Sequence, residues 1–231
     1  MQNARKKFPP THHVSGAIID VNSDEGPLYI FQQKDEGYPV VGYRGSVCLI
    51  GGNWISPADL SPADTMRREL SEEFLGEDGR LRENRELVES MLAGMQPHGE
   101  FFVRVPKSVS RTKEFNFDVS VYSATIGQEC YRKIKDRFHR NEIPFAEGRC
   151  LVLGAGELAK PRVFAFYEKL LHDYFSRMGI RTGIILHNGV YNVRLESDPD
   201  MPYSRRDLGS YKINPLKNPA QDGEVFRPFT A

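Results

Sequence analysis

The chain has 231 residues, and its 31 Lys and Arg balance 31 Asp and Glu, for a formal net charge of zero. With 39% hydrophobic and 27% charged residues, this is the profile of a soluble globular chain with material for one sizeable core. The charge balance argues against a surface devoted to trapping nucleic acid. No run approaches the roughly 20 apolar residues of a membrane helix, and the basic opening MQNARKKFPPTHH leads into no apolar segment of the kind a secretory signal needs.

Residues 1–12 read as a flexible arm. VSGAIIDV and PLYIFQQK are short strand-type runs separated by the turn cluster NSDEG. EGYPVVGYRG then leads to SVCLIGG, a third apolar run ending in two glycines. SPADTMRRELSEEF predicts a helix, with Ser61 as N-cap, Pro62 at the first position and Asp64 in an acidic first turn. RLRENRELVESMLAG predicts a second helix ending near Gly94. FFVRV and FNFDVSVYSATI predict strands around the charged turn SVSRTKE, and CYRKIKDRFHR a short basic helix. RCLVLG is another apolar run, and VFAFYEKLLHDYF reads as an amphipathic helix that stops at Gly179. IILHNGVYNVRL places Asn188-Gly189 between alternating apolar residues, a hairpin signal. The last thirty or so residues show no periodicity and read as an arm lying on this domain or on a partner, which leaves a homodimer open. Interleaved strands and helices, with strand-strand hairpins among them, point to an α/β layered domain with a mixed sheet. The expected organisation is an arm at 1–12, a domain at 13–180, and a hairpin with an extended arm at 181–231.

Cys48, Cys130 and Cys150 form no C-x-x-C pair and no disulfide framework, which points to a reducing, cytoplasmic compartment and to buried apolar roles. The six histidines form no H-E-x-x-H or His/Cys cluster, so no zinc site of sequence-local ligands is expected.

The informative stretch runs from Gly51-Gly52 to Gly76. At 100° per residue, Met66, Leu70 and Phe74 share one stripe of the helix, and Glu69, Glu72 and Glu73 occupy the adjoining sector. Glu69 and Glu73 are like charges one turn apart, at a cost of about 0.2–0.5 kcal/mol, and they lie in the later half of the helix, where the dipole prefers cations. A hard divalent cation such as Mg²⁺ or Mn²⁺ offsets both penalties, because it prefers oxygen ligands. The competing reading of the run is a solvated acidic helix face. A second signal, CLVLGAGELA, superficially fits a dinucleotide-binding turn, but Pro161 would fall within the first two helical turns and disrupt them.

A buried strand, two glycines, a loop, a Ser-Pro cap and a carboxylate stripe in this order resemble the Nudix hydrolase box, G-x5-E-x7-R-E-U-x-E-E-x-G-U, where U is a bulky aliphatic residue. Arg68-Glu69-Leu70-Ser71-Glu72-Glu73 matches its R-E-U-x-E-E without a gap. The loop before Ser61 is two residues longer than a common spacing. The mid-box Glu is absent, with Asp59 and Leu60 near its place. The closing glycine comes one place late at Gly76, and Glu77 stands where an aliphatic residue is expected. The resemblance spans about Val14 to Gly179 and implies a Nudix-like α/β/α sandwich with a mixed sheet.

The implied activity is hydrolysis of a nucleoside diphosphate linked to another group, with divalent metal. Glu69, Glu72 and Glu73 would ligate the metal with a backbone carbonyl near Gly52, and Arg68 would orient a glutamate. Glu147, in AEGRCLVL, occupies the place of an outlying base or extra ligand, with Glu142 and Glu114 as competitors. Phosphate recognition calls for cations, and Lys34, Arg44 and the basic 131–149 segment offer them. Tyr38, Tyr43, Trp54 or Phe102 offers a stacking surface for a base. Nucleotide sugars, dinucleotides, nucleoside triphosphates and capped RNA all stay open as substrates. The alternative is a non-catalytic Nudix-fold module that binds a nucleotide or a protein.

Overall fold

The computed structural model describes residues 11–55, 58–76, 79–140, 142–187 and 190–194. The expected N-terminal arm through residue 10, the Asn188-Gly189 turn and the C-terminal arm from residue 195 lie outside the described residues.

The elements in chain order are β1 (Thr11–Val21), β2 (Leu28–Gln33), β3 (Val47–Cys48), β4 (Ile50–Asn53), α1 (Pro62–Leu75), α2 (Arg85–Ala93), β5 (Gln96–Val105), α3 (Lys107–Ser110), β6 (Phe115–Ile126), α4 (Gln128–Arg140), β7 (Arg149–Gly154), α5 (Ala155–Leu158), β8 (Pro161–Val163), α6 (Glu168–Arg177), β9 (Gly183–Ile185) and β10 (Tyr191–Arg194). Eight strands form one mixed sheet in the order β10-β5-β6-β1-β2-β3, with β4 added to β1 and β7 to β2. β1 and β6 pair in parallel from Thr11 beside Asn116 to Val21 beside Ile126, while the neighbouring pairs are antiparallel.

Strand periodicity divides the core into two layers. Ile18, Tyr29, Phe31, Val119, Val121, Leu151 and Leu153 face one side, where α6 contributes Leu170, Leu171 and Phe175. Ala17, Ile19, Ile30, Tyr122, Ala124, Cys150 and Val152 face the other, against Met66, Leu70 and Phe74 of α1, Leu87, Val88 and Met91 of α2, and Tyr131 and Phe138 of α4. Both faces are therefore covered by helices. That is why the central strands read as nearly continuous apolar runs instead of alternating ones.

α1 follows its local signals closely. The Ser61 hydroxyl accepts from the Asp64 amide at 3.2 Å, Pro62 opens the helix, and Gly76 closes it at φ 76°. Four other expectations are corrected by tertiary pairing. SVCLIGG is not one strand, because Val47–Cys48 pairs with β2 while Ile50–Asn53 pairs with β1. β1 begins at Thr11, two residues inside the expected arm, because its parallel ladder with β6 starts there. The helix expected from Val163 starts only at Glu168, since Val163 belongs to β8 and the Ala165 amide donates to the Val47 carbonyl at 2.6 Å. The expected hairpin does not form among the described residues: β9 pairs in parallel with β8, and β10 pairs with β5, placing Tyr191 beside Arg104. Backbone groups on the outer side of β5 find their partners there, and so the strand after residue 180 joins the main sheet. The glycine turn of GAGELA opens only the four-residue α5, which ends before Pro161.

Glu168, the first residue of α6, is 1% exposed. Its Oε1 accepts from the Tyr43 hydroxyl at 2.7 Å, and among the described residues no side chain or backbone group bonds its Oε2. Burial pushes this carboxyl up to about 8 from an ordinary value of 4.5. The folded protein therefore keeps a proton that the unfolded chain releases across that interval, and stability is lost as pH rises through it. Glu168→Gln is expected to flatten this decline and to exceed the native chain at pH 9 by on the order of 3 kcal/mol in urea denaturation. Parallel pH profiles for the two proteins would contradict this account.

Candidate active site

The apolar stripe of α1 is driven into the core, so the adjoining sector is turned along the edge of the sheet. Arg68, Glu69, Glu72 and Glu73 consequently line one open cavity of about 750 Å³, together with Gly51 and Gly52 of β4 and Glu147 from the loop before β7. Of the three outlying acids, Glu147 lines this cavity. Glu142 is exposed and paired with Arg140, and Glu114 is paired with Arg104.

Arg68 is the hub on one side. Its Nε and Nη2 reach the two oxygens of Asp59 at 3.0 and 2.9 Å, and Nη2 also donates to the Asn53 carbonyl at 2.8 Å. Its Nη1 donates to Glu69 Oε1 at 2.8 Å and to Glu72 Oε2 at 2.7 Å. Asp59 is 3% exposed and further accepts from the Ile55 amide and the Thr65 hydroxyl. The Arg68 guanidinium, above all, holds its carboxyl down at about 2. Sequence reasoning placed Asp59 near the missing box glutamate without giving it a role. In the structure Asp59 is the bidentate partner of Arg68, while Leu60 beside it is 85% exposed. Arg68 thus orients Glu69 and Glu72 and is itself held by an aspartate.

Glu73 is the hub on the other side, 5% exposed. Its Oε1 accepts from Gln32 Nε2 at 3.0 Å and its Oε2 from the Glu147 amide at 3.2 Å. Gln32 Nε2 also donates to the Glu147 carbonyl at 3.1 Å, and Gln32 Oε1 accepts from Lys34 Nζ. One buried amide therefore ties the Glu73 carboxylate, the Glu147 loop and a cavity lysine together. Burial, then the Glu147 carboxylate, pushes Glu73 up to about 7, and burial also raises Glu69. The Glu69 carboxylate lies against the β4 backbone, where a Cβ on Gly52 would meet it and displace it from this position.

The donor set has the chemistry a divalent cation takes: carboxylate oxygens line one cavity, and beside the larger effect of burial the like charges of Glu147 on Glu73 and of Glu72 and Glu147 on Glu69 are the kind a cation relieves. Among the described residues no three His, Cys, Asp or Glu side chains already converge as a ligand set. The reason is local, since Arg68 Nη1 holds Glu69 and Glu72, while Gln32 and the Glu147 amide hold Glu73.

The expected phosphate cations are only partly there. Lys34 lines the cavity, but Arg44 donates outside it to the Tyr38 carbonyl. The basic helix α4 is committed elsewhere: Arg132 pairs with Asp24, Lys133 with Glu86 and Lys135 with Glu25, while Arg137 bonds Asn84. Of Tyr38, Tyr43, Trp54 and Phe102, Tyr38 is the one that lines the cavity, joined by Phe117, Phe166 and Tyr167. Among the described residues no helix is long and apolar enough to cross a membrane.

No protein-family model and no curated protein sequence matches the chain. Among solved structures it is similar to the NUDIX domain of Shewanella oneidensis NrtR complexed with ADP ribose, at 12% identity and a TM-score of 0.46 over 77% of this chain and 94% of that one. It is also similar to a mutT/nudix family protein from Listeria innocua, at 16% identity and a TM-score of 0.45 over 75% of this chain and 96% of that one. A third similarity is to the C-terminal domain of mouse MUTYH, solved with human PCNA, at 13% identity and a TM-score of 0.43 over 74% and 92%. Against the longer Shewanella oneidensis NrtR chain the match spans 57% of that protein. The mixed α/β assignment rests on the sheet topology itself.

Proposed function

We propose that this protein is a metal-dependent pyrophosphohydrolase that cleaves the diphosphate of a nucleoside diphosphate derivative, such as a nucleotide sugar or a dinucleotide. The observation that carries this reading is the gathering of Glu69, Glu72, Glu73 and Glu147 around one open cavity beside Gly52. Glu69, Glu72 and Glu73, with the Gly52 carbonyl, would hold Mg²⁺ or Mn²⁺. When bound, the ion supplies charge neutralisation at the diphosphate and a lowered pKa for water.

The remaining work falls to the chain. Asp59 fixes Arg68, and Arg68 keeps Glu69 and Glu72 on the cavity side of α1. Gln32 fixes Glu73 and the loop that carries Glu147. Glu147 is the candidate base: it takes a proton as water oxygen attacks phosphorus, and the bridging P–O bond breaks toward the departing phosphate group. Lys34 meets phosphate charge at the cavity wall. Free thiols at Cys48, Cys130 and Cys150 accord with a reducing, cytoplasmic setting.

The test is incubation with a panel of nucleotide sugars and dinucleotides in Mg²⁺ or Mn²⁺. Release of mononucleotide, stopped by EDTA, is the expected result. Binding without turnover across the panel overturns the reading in favour of a non-catalytic nucleotide-binding module.

A further inference from the structure

The acidic cavity has an apolar rim that neither the carboxylates nor the core uses. In the connection from β4 to α1, Trp54 and Ile55 are half-exposed and Leu60 is 85% exposed. Ile55 also lines the cavity, which sets the group at its edge. Large apolar side chains exposed singly mean little, but several in one short connection mark a contact surface. Hydrogen bonds hold them out. The Trp54 indole donates to the Asp59 carbonyl at 2.7 Å, the Ile55 amide to Asp59 Oδ2 at 2.9 Å, and the Asp59 amide to the Ile55 carbonyl at 3.0 Å. Asp59 is in turn fixed on Arg68, so turning these side chains inward would break the anchor of the guanidinium.

The occupant follows from where the chain enters the sheet. The Trp54 amide donates to the His13 carbonyl at 3.0 Å, and the two rings meet edge to face at 5.8 Å, so the start of β1 runs beside this rim. Thr11 is the first residue described, and the sequence ahead of it is MQNARKKFPP. Counting back from His13 at the maximal reach of the chain, Phe8 has a span of about 17 Å and Arg5 one of about 27 Å. That covers the rim and the mouth beyond it. The segment also matches the surface in character. Phe8, Pro9 and Pro10 are apolar, and Arg5, Lys6 and Lys7 carry positive charge with no acid among the ten residues. The mouth has the opposite sign: residues 59–78 hold seven Asp and Glu against two Arg, and both Arg are already paired within that stretch.

We propose that residues 1–10 dock on this rim, with Phe8 against Trp54 and Leu60, and with Arg5, Lys6 and Lys7 over the acidic mouth of the cavity. The rim is then the seat of the chain's own basic segment. This owes nothing to the hydrolase reading.

The test reads Trp54, the single tryptophan of the chain, by its emission and by quenching with the neutral quencher acrylamide. The full chain is used in EDTA. Raising NaCl from about 0.01 to about 1 M shortens the Debye length from about 30 to about 3 Å. Release of the segment is expected to red-shift the emission and to raise the quenching constant at least about 1.5-fold, since contacts between exposed charges are lost on screening. The full-length charge reversal Arg5→Glu, Lys6→Glu, Lys7→Glu is expected to show the released signal already at low salt and to change no further at high salt. Phe8→Ser is expected to raise the quenching at low salt as well. A flat salt response in the native chain overturns the proposal, and this arm decides even if a variant does not fold. Equal quenching of the native and charge-reversed chains at low salt, or a Phe8→Ser chain that quenches like the native one, overturns it too. A native signal that shifts on dilution overturns it in favour of a second copy of the chain as the occupant.

Discussion

Glu73→Gln is expected to lower turnover at least about 100-fold while the fold survives. The carboxylate lies between two donors, Gln32 Nε2 and the Glu147 amide, and both of its oxygens are used. Glutamine keeps the shape and one acceptor but sets an amide N–H against the other donor, at a cost of roughly 1–2 kcal/mol. The same change removes a charge that the site already disfavours, since burial and Glu147 push Glu73 up to about 7. In the metal-free protein that charge weakens the fold as pH rises from about 4.5 through 7, so the variant gives back at neutral pH part of what it loses. What is not recovered is the anionic oxygen for a cation. Mononucleotide release measured beside a thermal melt separates the two effects, and near-normal turnover in a folded variant would sink the assignment.

The second large effect is expected at Asp59. Asp59→Ala removes the buried bidentate partner of Arg68 and leaves that guanidinium, 18% exposed at its side chain, with Glu69, Glu72 and the Asn53 carbonyl. A loss of about 2 kcal/mol of stability follows at pH 7, because the charge-assisted hydrogen bonds of Asp59 to the guanidinium are lost and the Ile55 amide and Thr65 hydroxyl lose their acceptor. Turnover should fall with it, since the guanidinium that orients Glu69 and Glu72 loses the anchor that fixes its own position. The pH dependence has a definite sign. Asp59 is held down at about 2 from an ordinary 3.8, so its contribution is complete above pH 4 and is lost as pH falls through 2. The stability gap between native chain and variant in urea should therefore narrow on acidification. A gap that stays constant or widens below pH 4 would show that Asp59 does not act through its charge.

Features written in local signals were the ones legible in the sequence. Ser61, Pro62 and Asp64 mark the start of α1, Gly76 marks its end, and the 100° spacing places Glu69, Glu72 and Glu73 beside the buried stripe. Glu147 was expected only through the resemblance, beside Glu142 and Glu114, and of the three it is the one that lines the cavity. What stayed hidden depends on contacts distant in the chain. Gln32 meets Glu73 only because β2 lies beside β7 and α1 packs over the sheet. Asp59 reaches Arg68 across nine residues of the chain, while Leu60 beside it lies in solvent. Phe166 was hidden inside an apparently continuous helix pattern, because the pairing of Ala165 with Val47 delays that helix to Glu168. The Asn-Gly hairpin failed for a similar reason: β8 and β5 offered each strand a different partner.

The account stands on the carboxylates of α1 holding a divalent ion, and Mn²⁺ uptake by the full chain tests this most directly. Followed by the electron paramagnetic resonance signal of free Mn²⁺, the native protein is predicted to bind the ion and Glu73→Gln to bind it at least about tenfold more weakly. A native protein that leaves Mn²⁺ free in solution, or a Glu73→Gln variant that binds it equally well, would contradict the account.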